Sequence, residues 1–345
     1  MMSAPFVSLA GSVQGVMLRV LVALVPAIAV HVWLYGPGVL IQLAVASAVA
    51  LATEALMLKL RGSPVAPFLS DLSALVTAWL LALSLPSLAP WWLVAVGTAF
   101  AIAVAKHLYG GLGNNLFNPA MVGYCVLIIS FPAHMTRWPA PVALPGPDLG
   151  WIEAAAFIFF GDLPAGAALD ALTAATPLDV VKTQLAANRT LTEILGQPVG
   201  HAVPDGSVWL ALAYAAGGLF LLQQRVITWH VPVAYLAALA VVAGLFHAAD
   251  ADRYAGPLFH LTYGASVIGA FFILTDPVSG PTTPIGKLLF AASAAALTYL
   301  IRVFGGYPDG VAFAVLIMNM AVPLIDAYTQ LPVYGKKPPG SGGAP

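Results

Sequence analysis

The segment Asp170-Ala-Leu-Thr-Ala-Ala-Thr-Pro-Leu-Asp179 has residue types and spacing that suit a defined chemistry. Thr176-Pro177-Leu178-Asp179 reads as a helix start, with Thr as N-cap, Pro at the first helical position and an acid at the third. Leu178, Val181 and Leu185 then predict a short amphipathic helix. A hydroxyl at a helix N-terminus faces free N–H groups and the positive dipole end, which is where a phosphate is held. On residue types alone, a capping threonine accounts for the segment; a phosphoester on Thr176 is the sharper reading.

Two polar loops are the next candidates. Gly110-Gly-Leu-Gly-Asn-Asn-Leu-Phe-Asn-Pro-Ala-Met-Val-Gly123 combines permissive glycines with three amides, Asn114, Asn115 and Asn118. Thr275-Asp-Pro-Val-Ser-Gly-Pro-Thr-Thr-Pro284 is a rigid polar re-entry with Asp276 at its mouth. Capping at tight turns is the plain reading of both, yet three amides in one short loop exceed what capping needs. Other chemistry is excluded by absence. Glu54, Asp71, Lys106, Asp276, Arg302 and Asp326 fall near the ends of apolar stretches, so the chain alone does not look like a carboxylate-driven pump. His31, His107, His230, His247 and His260 lack metal-site spacing and read as packing or interfacial residues. Cys125 is the single cysteine, which excludes a disulfide or a Cys-ligated cluster within the chain. No catalytic residue and no metal site is expected.

The elements that position these residues follow from composition. Sixty per cent of the residues are hydrophobic and 8% charged, and the mean hydropathy is +0.92. A soluble domain carries about 25% charge; this chain's solvent is lipid. The net charge of −1 offers no field for nucleic acid. The apolar runs predict an all-α integral membrane protein of about ten spans: 16–35, 38–58, 71–88, 91–108, 119–133, 207–223, 229–248, 257–275, 286–304 and 310–328. No cleavable signal peptide is expected at the start. The domains are a first five-helix repeat (1–133), a loop (134–206) carrying the threonine motif, a second repeat (207–330) and a tail (331–345). Ile152–Phe160 within the loop is apolar but too short to cross, which predicts an interfacial helix. With the N-terminus inside, the inner side holds eight Lys/Arg and the outer side five, so both termini are predicted cytoplasmic and the loop periplasmic. Leu83–Pro90 echoes Leu274–Pro281, and Lys106–Gly111 echoes Arg302–Gly306; Leu83 to Leu274 is 191 residues and Gly110 to Gly305 is 195. Five spans per repeat would invert the second copy, the plan of many transport folds.

These motifs, in this order, resemble the NqrB/RnfD family, the large flavin-carrying membrane subunits of the Na⁺-translocating NADH:quinone reductase and of the Rnf complex. Asp170-x-x-Thr173-x-Ala-Thr176 resembles the motif on which a flavin transferase esterifies FMN to the last hydroxyl. Asp170 and Thr173 would then be recognition elements, and Ala174 stands where many members have Gly. The Gly-Asn-Asn-Leu-Phe-Asn-Pro-Ala and Thr-Asp-Pro-Val-Ser-Gly-Pro-Thr-Thr loops are similar to the family's. Few residues precede the first span, which favours the RnfD branch over the quinone-reductase subunit.

The resemblance implies electron transfer between ferredoxin and NAD, coupled to Na⁺ or H⁺ movement in the inner membrane. The chain would be incomplete as an enzyme alone. Its partners would be other membrane subunits and iron–sulfur and flavin subunits, with a flavin transferase during maturation. It further implies a non-covalent flavin, riboflavin, near Asn115 and Asn118. The rival reading is a channel or facilitator for a small polar solute on the same inverted fold.

Overall fold

The computed structural model describes residues 12–141, 149–163, 172–196 and 206–330. In lipid every backbone polar group must be satisfied within the protein, so long apolar runs become helices. The first half comprises α1 (Val13–Tyr35), α2 (Gly38–Leu60), the short α3 (Val65–Leu69), α4 (Ser73–Ala82), α5 (Trp91–Phe100, continuing as a π-helical segment Ala101–His107) and α6 (Pro119–Ser130). The connecting region holds α7 (Pro132–Met135), α8 (Trp151–Phe160), α9 (Pro177–Ala186) and α10 (Leu191–Gly196). The second half comprises α11 (Gly206–Gln223), α12 (His230–Ala249), α13 (Pro257–Thr262), α14 (Ser266–Ile268, continuing as a π-helical segment Gly269–Ile273), α15 (Pro284–Phe304) and α16 (Val311–Thr329). Among the described residues, α1, α2, α12, α15 and α16 are long and apolar enough to cross a membrane, and shorter apolar helices accompany them. The all-α expectation needs one addition. Strands β1 (Trp138–Pro139) and β2 (Thr173–Ala174) form an antiparallel ladder of two residues each, pairing Trp138 with Ala174.

The predicted spans 257–275 and 71–88 are not continuous helices, and 119–133 is interrupted at Phe131. The run 257–275 breaks at Tyr263–Ala265, where Gly264 adopts φ +74°. The freed groups find side chains: Ala265 N–H donates to Asp309 Oδ2 at 2.7 Å, and the His260 carbonyl accepts from Ser266 Oγ at 2.6 Å and Arg302 Nη1 at 2.8 Å. The run 71–88 is helical only over α4. It opens after Leu72 at φ 65° and ends in the turns of 83–90, where Gln42 Nε2 donates to the carbonyls of Ser87 and Ala89. Lys106 Nζ reaches Ser73 Oγ at this first break, 2.8 Å away. The breaks at Leu72 and Gly264 are thus each pinned by a cation from a neighbouring helix. Hydropathy could not reveal the break at Gly264, because both its flanks are apolar; at Leu72 the polar Ser70, Asp71 and Ser73 mark the edge, and the expected span began at 71.

Small residues let the halves approach. α1 packs on α11, where a Cβ at Gly217 would strike the carbonyl of Ala23, and α6 packs on α16. The expected short amphipathic helix is α9; Val181 packs with Leu191, Ile194 and Ala255, and Leu178 is buried too. Lys182 Nζ fastens α9 by donating to the carbonyls of Arg302 at 3.2 Å and Tyr307 at 2.7 Å. α8 is short and apolar, with Trp151, Ile152 and Phe160 exposed, as an interfacial helix would have them.

Gly264 sits where these parts meet. A Cβ there would lie 2.6 Å from Leu178 Cδ1 and 2.8 Å from Arg302 Nη2, on a backbone that L residues rarely adopt. Gly264→Ala is expected to cost about 1–3 kcal/mol from backbone strain alone and to unseat α9. A lowered thermal midpoint in detergent, with faster proteolysis of the 172–196 segment, checks this; an unchanged midpoint would refute it.

Candidate functional site

Thr176 caps α9 as its sequence suggests. Its Oγ1 accepts from Asp179 N–H at 3.2 Å, and the hydroxyl lies 3.2 Å from Asp179 Oδ2 as donor. Burial pushes the Asp179 carboxyl above its usual range, against the opposing pull of the Thr176 hydrogen bond and of Lys182. A carboxyl so placed takes up a proton more readily when a second anion arrives at the same helix end. Thr176, Pro177, Leu178 and Asp179 form part of the wall of a cleft of about 170 Å³. α1 contributes His31 and Tyr35 to it, α6 contributes Met121, Tyr124 and Ile128, and α11 contributes Tyr214. The broken run supplies Gly264 and Val267. The cleft therefore extends from the connecting region into the helices. A phosphate at Thr176 would sit at the positive N-terminal end of α9, and a flat, mostly apolar ring would find aromatic and aliphatic walls with buried polar atoms among them. These residues fit an FMN attached at Thr176.

The other motif residues lie differently. Thr173 is in the β1–β2 ladder opposite Pro139. Asp170 lies outside the described residues.

Asn115 and Asn118 come together in a second cleft, of about 140 Å³, with Ser73, Lys106, Phe271 and Asp276 among its walls. Much of Asn118 is already engaged. Its Oδ1 caps α6 by accepting from Met121 N–H at 3.2 Å, and its Nδ2 donates to the Ile273 carbonyl at 3.2 Å. Its N–H donates to Asn319 Oδ1 at 3.1 Å, while Asn319 Nδ2 donates to the Ser279 carbonyl at 2.9 Å. Asn118 therefore ties the two polar loops together, and its structural share is larger than the sequence suggested. Asn115 donates to the Phe117 carbonyl at 3.1 Å and also reaches Asp276. Beside this cleft, Glu54, Lys106, His107 and Ser73 form a buried polar cluster.

Residues 1–335 match the NQR2, RnfD, RnfE family. The chain belongs to this family. Relatives named as the D-type subunit of the ion-translocating oxidoreductase complex, from Shigella dysenteriae serotype 1 (strain Sd197) and Escherichia coli O1:K1 / APEC, are 48% identical over 344 residues, covering 97% of this chain and 98% of each relative. One from Escherichia fergusonii is 47% identical over the same span.

Membership of the NQR2, RnfD, RnfE family bears out the resemblance drawn from the motifs. Sequence reasoning missed three things in this family member: His31 and Tyr214 as cleft residues, and the mutual burial of Glu54 and Lys106. All four are polar residues carried by apolar helices, Lys106 beside His107. Nothing in their spacing marks them as neighbours.

Proposed function

We propose that this chain is the flavin-carrying membrane subunit of an ion-translocating oxidoreductase complex, with FMN joined by a phosphoester to Thr176. The observation that carries this reading is a capping hydroxyl at a helix N-terminus that opens onto a cleft running between the helices. The names of the relatives support the complex. Bound FMN supplies the capacity to accept electrons singly or in pairs. The chain's own part is to anchor and to shield. Thr176 Oγ1 fixes the phosphate position, and the positive end of the α9 dipole faces its charge, worth about 0.3–1 kcal/mol where exposed. Met121, Ile128 and Val267 exclude water, and Lys182 holds α9 against the helices.

A second, non-covalent flavin, riboflavin by family resemblance, is assigned to the cleft of Asn115, Asn118 and Asp276. Phe271, Phe272 and Ile273 lie between the two clefts along one π-helical segment: Ile273 lines the first and Phe271 and Phe272 the second. Electrons would enter at the periplasmic flavin and leave toward the cytoplasm, or run in reverse. The complex would link ferredoxin and NAD on partner subunits, with Na⁺ or H⁺ as the coupled ion.

The proposed frame is ten spans in two inverted five-helix repeats, with both termini cytoplasmic and the 134–206 loop periplasmic. The two helix breaks support it: Leu72 and Gly264 are 192 residues apart and both adopt positive φ. Lys106 and Arg302, from the echoed segments, each pin one break. Intact-mass measurement of the purified chain, followed by denaturing extraction, tests both flavins. A mass increment of one FMN moiety, plus free flavin in the extract, is expected. An unmodified mass would overturn the covalent assignment, and an empty extract the second flavin.

A further inference from the structure

Two polar atoms in the cleft beneath Thr176 have no partner among the described residues: His31 Nδ1 and the Tyr214 hydroxyl. Both residues are buried, 2% and 5% exposed, and they come from different helices, α1 and α11. A buried donor or acceptor without a partner is costly to the fold, and each one calls for a reason, such as a functional role or a group that completes it. Other buried polar atoms without partners, such as Tyr299 Oη and Gln42 Oε1, do not line this cleft. His31 and Tyr214 are set apart by converging on one cavity.

We propose that His31 and Tyr214 are the hydrogen-bond partners of the isoalloxazine ring of the flavin carried on Thr176, and that they set its reduction potential. This inference rests on the attachment proposed above. His31 lies four residues inside Tyr35, the last residue of α1, and so about 6 Å deeper along the helix axis. A flavin anchored at the mouth by its phosphate would therefore extend its ring toward this pair. The ring's faces are apolar, while its pyrimidine edge carries two carbonyls, an N–H and ring nitrogens. Tyr214 can donate to that edge, and so can His31 in the tautomer that carries its proton on Nδ1, which is the form assigned here. Neighbouring rings orient both side chains. Tyr35 lies 4.9 Å from the His31 ring centroid, and Phe272 sits edge-on to Tyr214 at 6.1 Å. Reduction places negative charge on the pyrimidine edge, and a donor aimed there in a water-poor site stabilises that charge. The pair therefore raises the potential relative to an apolar cleft.

The test uses the full chain co-expressed with a flavin transferase, as wild type, Tyr214→Phe, His31→Leu, His31→Gln and the double variant Tyr214→Phe/His31→Leu. Tyr214→Phe removes one oxygen and preserves the packing. In-gel fluorescence and intact mass read the covalent loading. Visible absorption and a spectroelectrochemical titration, on protein freed of non-covalent flavin, read the ring's surroundings. Full loading is expected throughout, with shifted absorption maxima and a lowered midpoint in Tyr214→Phe and His31→Leu. The double variant should shift furthest, and His31→Gln should return toward wild type. Loaded variants with wild-type spectra and midpoints would overturn the inference while leaving the attachment standing. A wild type without covalent flavin would overturn the attachment, and this inference with it.

Discussion

Thr176→Asn is expected to abolish the flavin fluorescence of the denatured chain while leaving α9 in place. The choice of asparagine separates two roles that one hydroxyl performs. Thr176 Oγ1 accepts from Asp179 N–H, and losing such a cap to an apolar residue costs about 0.5–2 kcal/mol. Thr176→Val would remove the cap along with the esterifiable oxygen, so loss of flavin there could come from a frayed helix that the transferase no longer recognises. Asparagine caps as well as threonine but offers no hydroxyl for a phosphoester. Both variants should lose all covalent flavin, and only Thr176→Val should loosen the 172–196 segment to proteolysis. Membrane insertion should be unaffected in either, because the apolar helices are untouched. Fluorescence that persists in Thr176→Asn would move the attachment elsewhere, first to Thr173 in the β1–β2 ladder.

The sequence made the frame legible where one physical signal dominated. Long apolar runs announced α1, α2, α12, α15 and α16, since lipid leaves the backbone few alternatives to a helix. Thr176-Pro177-x-Asp179 announced the start of α9, because capping is a contact between close neighbours in sequence. The break at Gly264 was hidden, since it depends on Arg302 from a later helix; the edge at Leu72 was legible as the start of the expected span 71–88, but its tie to Lys106 was not. Asn118 was legible as a cap and illegible as a tie, since its partners Ile273 and Asn319 lie 155 and 201 residues away. The same holds for His31 and Tyr214. Each looks like a packing residue until the fold brings both into one cavity.

The largest expected effect on stability is at Glu54. Its residue is 1% exposed, and Lys106, at 2%, donates to both carboxylate oxygens at 2.8 and 2.9 Å. His107 Nε2 lies 3.1 Å from the same carboxylate, and Arg61 Nη1 lies 3.3 Å from His107 Nδ1. The π-helical segment Ala101–His107 presents the consecutive residues Lys106 and His107 to one acceptor. Glu54→Leu leaves the Lys106 ammonium buried without a counter-charge, which costs about 3–5 kcal/mol. The damage should spread to α4, because Lys106 also holds Ser73 at the first break. Replacing the whole pair is a different matter, since apolar residues of similar volume often substitute for a buried ion pair at little cost. Glu54→Leu/Lys106→Met is therefore expected to recover most of the loss, limited by the missing bond to Ser73. Thermal unfolding of the detergent-solubilised chain should show a large drop in midpoint for Glu54→Leu and a much smaller one for the double variant. Equal drops would mean that the pair acts through its separate contacts with Ser73 and His107 rather than through mutual charge compensation.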